Sequence, residues 1–304
     1  MIYTLTLNPS LDYRLQTENL RLRGVNRSAG ESFRAGGKGI NVSRMLSLLG
    51  AETVSMGFAG GFSGNEILRL LKADGVEADF VGIKGNSRIN VKINDEGDTE
   101  INASGPEISA DELGKLFEKL EKIKPGDTLV MAGNPHKGAR NNIYAETGKK
   151  LSGVRIIVDT TGEQLLNTLK LKPFLIKPNM EELEELFGEK DCTQNRLYDL
   201  AKELKKAGAD NVLVSMGKDG AFLVAENGKV YRAEAPELKP VYTVGSGDCA
   251  VAGFIYGFDK SGNAAEALKW AVACGSANAA AEGFPTKESV NNFINLINIR
   301  ETGD

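Results

Sequence analysis

The 304-residue sequence predicts an α/β protein with a mostly parallel central sheet and a second, smaller sheet over it. Three observations carry this expectation. Short apolar or β-branched runs, "IYTLTL", "ETVSMGF", "DTLVMAG", "VRIIVDT", "PFLIKPN" and "NVLVSMG", recur with helix-like stretches between several of them, and strands separated by helices imply crossover connections. Residues 11–35 and 87–105 break that alternation with period-2 polarity, the second segment holding a turn at Asp95 to Asp98; they predict a small sheet acting as a lid, or else an edge extension of the main sheet. The last third, "AVAGFIYGF" and "NAAEALKWAVACGSANAAAEG", is rich in Ala and Gly and predicts two closely packed helices, with packing the commoner use of such small residues.

The apolar runs tend to end in polar or glycine-containing segments: Asn8, Gly57, Gly133, Asp159, Lys177 to Asn179, and Ser215 to Gly217. In open α/β sheets ligands sit beyond the carboxyl ends of the strands, so these ends are candidates to converge on one crevice. Ordinary loop chemistry is the competing reading of any single one.

Composition excludes several function classes. Net charge is −4 with 26% charged residues of both signs interspersed, which is not the basic footprint that nucleic-acid binding requires. The opening "MIYTLTLNPSLDY" breaks at Asn8 and Pro9, too early for a signal peptide or a membrane span. Cys192, Cys249 and Cys274 are odd in number and lack a CxxC pair, so neither a disulfide framework nor a structural zinc site is expected, and a cytoplasmic setting is. His136 is the single histidine; a turn role is expected for it, and no catalytic part.

Glycine, at 35 residues, exceeds the usual share of roughly 7% and is clustered. In "TVGSGDCAVAGF", Asp248 stands behind Gly245-Ser246-Gly247 at the start of a predicted helix. A glycine turn before a helix suits a phosphate, which a carboxylate would repel. The conflict disappears if the turn's N–H groups stabilise charge that develops only during reaction while Asp248 takes a proton from an attacking hydroxyl. Phosphoryl transfer requires that pair of functions. An Asp that merely caps the helix is the competing reading. A dinucleotide fingerprint, GxGxxG/A, also fits the spacing, but the preceding "AEAPELKPVYT" is no buried strand, and no GxxxxGK[ST] P-loop occurs.

Other residues suit the same chemistry. Lys38, in "AGGKGINVS", sits on a second glycine turn leading into an amphipathic helix, a cradle for a sugar and its phosphate. Arg88 and Arg27 offer the bidentate fork that holds an anion. Asn179 and Glu182, opening a helix after "FLIKPN", are hard oxygen donors able to hold Mg²⁺ through water. A capping Asn, a solvated Glu and surface arginines are the alternatives.

Taken in order, "LTLNPSLDY", "GGKGINVS", "GFAGGFSG", "SRINVKI", "KPNMEEL", "VSMGKDGA" and "TVGSGDCAVAGF" resemble the phosphofructokinase B (PfkB) sugar kinases of ribokinase-like fold over essentially the whole chain. The resemblance implies a single three-layer α/β/α domain over residues 1–304, with a β lid from segments of about 11–35 and 87–105. It implies Asp248 as catalytic base, with Gly245, Ser246 and Gly247 as anion hole. Asp12, Gly37, Lys38 and Asn41 look like sugar-binding positions, and Arg88 like the group that grips an existing phosphate, with Arg27 and Asn90 as helpers. Lys177, Asn179, Ser215, Gly217 and Gly220 fall where the family holds ATP, and Glu182 completes the NxxE motif linked to Mg²⁺. The lid resembles segments through which many members form homodimers. "LNPSLD", "GGKGINVS" and Arg88 are similar to the branch that acts on phosphorylated ketohexoses. This implies phosphorylation of fructose 1-phosphate at C6, with tagatose 6-phosphate or fructose 6-phosphate as the alternative acceptor. A sugar-phosphate sensor that consumes no ATP is the reading from another class. Three departures stand out: Ser246 for the usual Ala, Cys249 for the usual Ser, and "AGNPHKG" where relatives carry a Gly-Ser-Leu-Pro pattern.

Overall fold

The computed structural model describes residues 1–95, 98–136 and 139–302. The strands are β1 Ile2–Thr6, β2 Ser10–Gln16, β3 Gly30–Gly36, β4 Thr53–Ala59, β5 Glu77–Gly82, β6 Arg88–Asn94, β7 Asp98–Ile101, β8 Thr128–Ala132, β9 Arg155–Asp159, β10 Leu175–Ile176, β11 Asn211–Ser215, β12 Ala221–Val224, β13 Val230–Ala233 and β14 Ile299–Thr302. The helices are α1 Lys38–Leu49, α2 Gly61–Ala73, α3 Ala110–Leu120, α4 Ile143–Lys149, α5 Gly162–Thr168, α6 Met180–Phe187, α7 Gln194–Lys206, α8 Ser246–Ser261, α9 Ala264–Ala279 and α10 Lys287–Ile294. Parts of the turn expected at Asp95 to Asp98 and of the "AGNPHKG" loop lie outside the described residues.

Ten strands form the main sheet in the order β14-β13-β12-β11-β10-β9-β8-β1-β4-β5. From β11 to β5 every pairing is parallel, and β12, β13 and β14 add on antiparallel. Both faces are covered, so the buried strands lack the alternation of a half-solvated sheet. In β11, Leu213 points to a core shared with α1, α8, α9 and α10, while Val212 and Val214 point to a core shared with α3 to α7. Each such fully buried side chain contributes about 1.5–3 kcal/mol. Strand β10 is only two residues long because Pro173 and Pro178 flank it and cannot donate to a ladder. The Lys177 N–H still reaches the Val158 carbonyl at 3.2 Å, so the chain stays beside β9 to the point where its side chain is needed.

The two period-2 stretches form a separate four-stranded sheet, β3-β2-β6-β7, rather than an extension of the large one. Strand β2 pairs antiparallel with β3 and parallel with β6, and β6 antiparallel with β7. Its two faces differ in chemistry. Tyr13 lies opposite Phe33 on one side and Val91 on the other, and Val91 opposite Ile101, giving an apolar row across all four strands. Ser10, Asp12, Asn90 and Lys92 alternate with these residues and share the other face. Leu11, Ala35 and Ile89 pack with Ile67 and Leu71 of α2, which anchors one end of the small sheet to the body.

The Ala- and Gly-rich helices α8 and α9 pack against each other. A Cβ at Gly253 would come within 2.4 Å of the Trp270 carbonyl oxygen, so the helices approach too closely for any larger residue there. Gly253→Ala is expected to lower stability by about 1–3 kcal/mol in urea unfolding. A loss below about 0.5 kcal/mol would show that α8 and α9 separate at little cost.

Candidate active site

The site follows from how two helices begin. Five of the ten α-helices among the described residues are closed by a side chain: Ser109 caps α3, Asn179 α6, Thr193 α7, Asn263 α9 and Thr286 α10. Helices α1 and α8 instead start at Gly37 (φ +125°) and Gly245 (φ +86°), neither with a side-chain cap. Their first N–H groups are therefore not consumed by a capping oxygen. The Ser246 N–H does donate to the Thr243 carbonyl at 3.1 Å, whereas those of Gly245 and Gly247 meet no acceptor among the described residues. Of the three N–H groups expected to form an anion hole, the middle one, that of Ser246, thus closes the turn.

Asp248 is the third residue of α8, 6% exposed, and caps nothing. Its Oδ2 accepts from the Asn41 amide of α1 at 2.8 Å. Burial first, and then the nearby Asp159 carboxylate, pushes Asp248 up to about 7, against the pull of Lys38, the Asn41 amide and Lys177. A carboxyl that ionises near neutrality is matched to accepting and releasing a proton there.

Asp159, at the end of β9, is fully buried. Its Oδ1 lies 3.2 Å from Lys38 Nζ and 3.4 Å from Lys177 Nζ. Burial opposes its charge, but the two ammonium groups outweigh burial and hold the carboxyl below its ordinary range. In return, the Asp159 charge holds Lys38 well above the usual lysine value. Lys177 also reaches the entrance of α8, where a Cβ at Gly247 would stand 3.1 Å from its Nζ. Two cations thus act on the Asp248 carboxylate, and the two glycine N–H groups lie at the start of its own helix. The arrangement suits charge spread over a transferring phosphoryl group.

Asn179 and Glu182 form a reciprocal capping box: Asn179 Oδ1 accepts from the Glu182 N–H at 2.6 Å, and Glu182 Oε2 from the Asn179 N–H at 2.9 Å. Capping and a polar-site role coexist, because Glu182 Oε1 remains directed to the site, 4.0 Å from Lys38 Nζ. Asn179 also bridges to Ser215, whose strand end leads to Gly217 and Gly220. No group of three or more metal-binding side chains occurs among the described residues.

On the polar face of the small sheet, Asp12 Oδ1 accepts from Ser10 Oγ at 2.7 Å and from Asn90 Nδ2 at 2.9 Å, with Lys92 Nζ 3.7 Å from Oδ2. A Cβ at Gly36 would come 2.5 Å from Asp12 Oδ2, so the "AGGK" turn must be glycine for β3 to pass this carboxylate. Arg88 Nε donates to the Asn8 carbonyl at 3.1 Å and Nη1 to the Ala103 carbonyl at 3.2 Å. Held by backbone oxygens with no carboxylate in ion-pair range among the described residues, its charge stays available to an anion. Arg27 does not join this group: it lies exposed on the β2–β3 connection and bonds to no described residue.

Four participants escaped sequence reasoning. Asp159 was legible only as a polar strand end. Ser10 and Lys92 sit two residues from Asp12 and Asn90, and period-2 counting along those strands would have found them. Asn278, deep in α9, donates to the Val244 carbonyl at 3.0 Å and to Ser246 Oγ at 3.1 Å, bracing the turn, and nothing local marks it.

Residues 8–288 match the family described as pfkB family carbohydrate kinase. The chain is 41% identical over 281 residues to the 1-phosphofructokinase of Borreliella burgdorferi, covering 92% of each. It is 34% identical over 302 residues to the D-tagatose-1-phosphate kinase of Bacillus licheniformis, covering 98% of this chain and 99% of that one. The structure of phosphofructokinase-2 from Escherichia coli in complex with potassium is similar at a TM-score of 0.91 and 29% identity, over 97% of this chain and 98% of that chain. With its ribokinase-like fold, the chain belongs to the pfkB family of carbohydrate kinases and is a phosphotransferase.

Proposed function

We infer that the protein transfers the γ-phosphoryl group of ATP to the C6 hydroxyl of fructose 1-phosphate, giving fructose 1,6-bisphosphate and ADP. The observation that carries the chemistry is Asp248: a buried carboxylate raised to about 7, held by Asn41 beside two lysines and uncapped glycine N–H groups. The substrate rests on the full-length similarity to a protein named 1-phosphofructokinase. In this reading Asp248 takes the hydroxyl proton as the sugar oxygen bonds to the γ-phosphorus and the bridging bond to ADP breaks. The proton then leaves to solvent. Lys38, Lys177 and the N–H groups of Gly245 and Gly247 stabilise the transferring group. Asp12, Asn41 and Asn90 orient the sugar hydroxyls beside Gly37, and Arg88 takes the existing phosphate, with Arg27 arriving only if its loop moves. Lys177, Asn179, Ser215, Gly217 and Gly220 form the ATP side.

The donors present fit Mg²⁺: Glu182 Oε1 is a hard oxygen left over from the capping box, and Asn179 has a second carbonyl lone pair. When bound with ATP, Mg²⁺ would neutralise the β- and γ-phosphate oxygens. The partner of the small sheet is a second copy of this chain, through the row of Phe33, Tyr13, Val91 and Ile101, of which Phe33 and Ile101 are 47% and 60% exposed. A cytoplasmic setting accords with three cysteines that are all free thiols, and no helix among the described residues is long and apolar enough to cross a membrane.

The deciding experiment is ATP-dependent ADP release, comparing fructose 1-phosphate, fructose 6-phosphate, tagatose 6-phosphate and free fructose by kcat/KM. Fructose 1-phosphate is expected to lead by about a hundredfold, equivalent to about 2.7 kcal/mol. Tagatose 6-phosphate in the lead would replace the substrate and keep the mechanism, and turnover of none would leave a sensor. In the same assay Arg88→Ala should raise KM for the phosphosugar far more than for free fructose.

Asp248→Asn should remove nearly all turnover while ATP still binds, and residual activity within about tenfold of wild type would sink the base role. Because the base must be ionised, wild-type kcat/KM should rise with pH and level off above about 7. An acid limb centred near the ordinary carboxylate range would contradict the burial argument. For assembly, light scattering should give twice the 32.6 kDa chain mass, and Phe33→Glu should halve it. A wild-type monomer would exclude the sheet-to-sheet pairing.

A further inference from the structure

Asp159 is costly as built. It is fully buried, Oδ1 takes both lysines, and Oδ2 has no hydrogen-bond partner among the described residues. An orphaned oxygen on a buried carboxylate is a penalty that an amide or an apolar residue in this place would avoid. The oxygen is unpaired while two ammonium groups crowd its twin, so what the residue supplies to the site is charge rather than a satisfied hydrogen-bond network.

That charge has a specific use. Lys38 and Lys177 are long and flexible, and both exert an attractive pull on Asp248. A base held directly by an ammonium group is a weak base, because the cation stabilises the form that has lost the proton. With fructose 1-phosphate and ATP as the reading on which this rests, the lysines are wanted on the phosphoryl group, not on Asp248. We propose that Asp159 is a positioning residue that sequesters both ammonium groups on one carboxylate oxygen, aiming them at the transferred phosphoryl group while leaving Asp248 free to act as base.

The groups that face Asp248 agree with this division of labour. From α1 come Asn41, hydrogen-bonded at 2.8 Å, and Lys38; from the end of β10 comes Lys177; from β9 comes Asp159. On its own helix the neighbour is Cys249, a buried thiol that burial keeps protonated. Among these Asp159 is the anion, and it opposes the two cations. Removing its charge should therefore act twice on Asp248 in the same direction, by deleting a repulsive neighbour and by releasing two attractive ones.

The test uses the full chain and two variants whose effects should be opposite in sign. In ¹³C carboxyl NMR without substrates, the signal absent from Asp248→Asn identifies Asp248 and is followed with pH. Asp159→Asn, nearly isosteric, is expected to move its midpoint down by about one pH unit or more, and Lys177→Met to move it up. In kinetics, Asp159→Asn should lower kcat by about ten- to a hundredfold, with KM for the phosphosugar changed less than about threefold and the acid limb displaced like the NMR midpoint. A folded Asp159→Asn protein with an unmoved Asp248 midpoint, or with wild-type kcat, overturns the proposal. If Asp159→Asn does not fold, Lys177→Met decides alone, and an unmoved midpoint there overturns it too. Wild-type protein that turns over no sugar phosphate defeats the functional reading itself, a result separable from an unmoved midpoint in an active enzyme.

Discussion

Parallel pairing from β5 through β11 is the constraint on which the rest depends. In a parallel ladder every strand ends on the same side, so residues scattered over two hundred positions are delivered to one edge without any need to be near in sequence. Asp159 from β9, Lys177 after β10 and Ser215 from β11 share that edge because their strands are aligned, not because their own sequences call for one another. Helices α1 and α8 then close over it, bringing Lys38, Asn41 and Asp248 to the same place.

The buried charges at this edge would be intolerable singly. Asp159 survives full burial because two lysines meet it, and Asp248 survives because its charge is easily given up to a proton. Two carboxylates in similarly dry surroundings are thus driven apart in basicity by what touches them: cations on one, a neutral amide on the other. Different environments are how one site holds a permanent anion beside a carboxyl that exchanges its proton near neutrality. The glycine starts of α1 and α8 complete the balance, since a capping side chain there would occupy the donors that an incoming anion needs.

The small sheet solves a separate problem. Period-2 alternation sends Ser10, Asp12, Asn90 and Lys92 to one face and Tyr13, Phe33, Val91 and Ile101 to the other, so one element presents a polar face and an apolar face at once. A one-residue slip of register would exchange the two faces. Its anchorage on α2 through Leu11, Ala35 and Ile89 secures one end, and Arg88, clamped between the Asn8 and Ala103 carbonyls, ties the start of β6 to the end of β1.

What the amino-acid sequence determined by itself was everything set by local pattern. The strands "DTLVMAG", "VRIIVDT" and "NVLVSMG" were legible as apolar runs, the small-sheet strands as alternation, α8 and α9 as small-residue helices, and Gly245 to Asp248 as a glycine turn ending in a carboxylate, because propensity and periodicity act over a few residues. Ordered motifs likewise singled out Lys38, Asn41, Asn179 and Glu182. Tertiary structure alone decided which partners meet. It left Arg27 exposed and set Asp159 under Lys38 and Lys177. Asn278 reaches Val244 and Ser246 only because α9 packs along α8. Such pairings span from 18 residues of chain, as Asp159 and Lys177 do, to more than 200, as Asn41 and Asp248 do, and their geometry is fixed by packing between elements, on which local pattern carries no information.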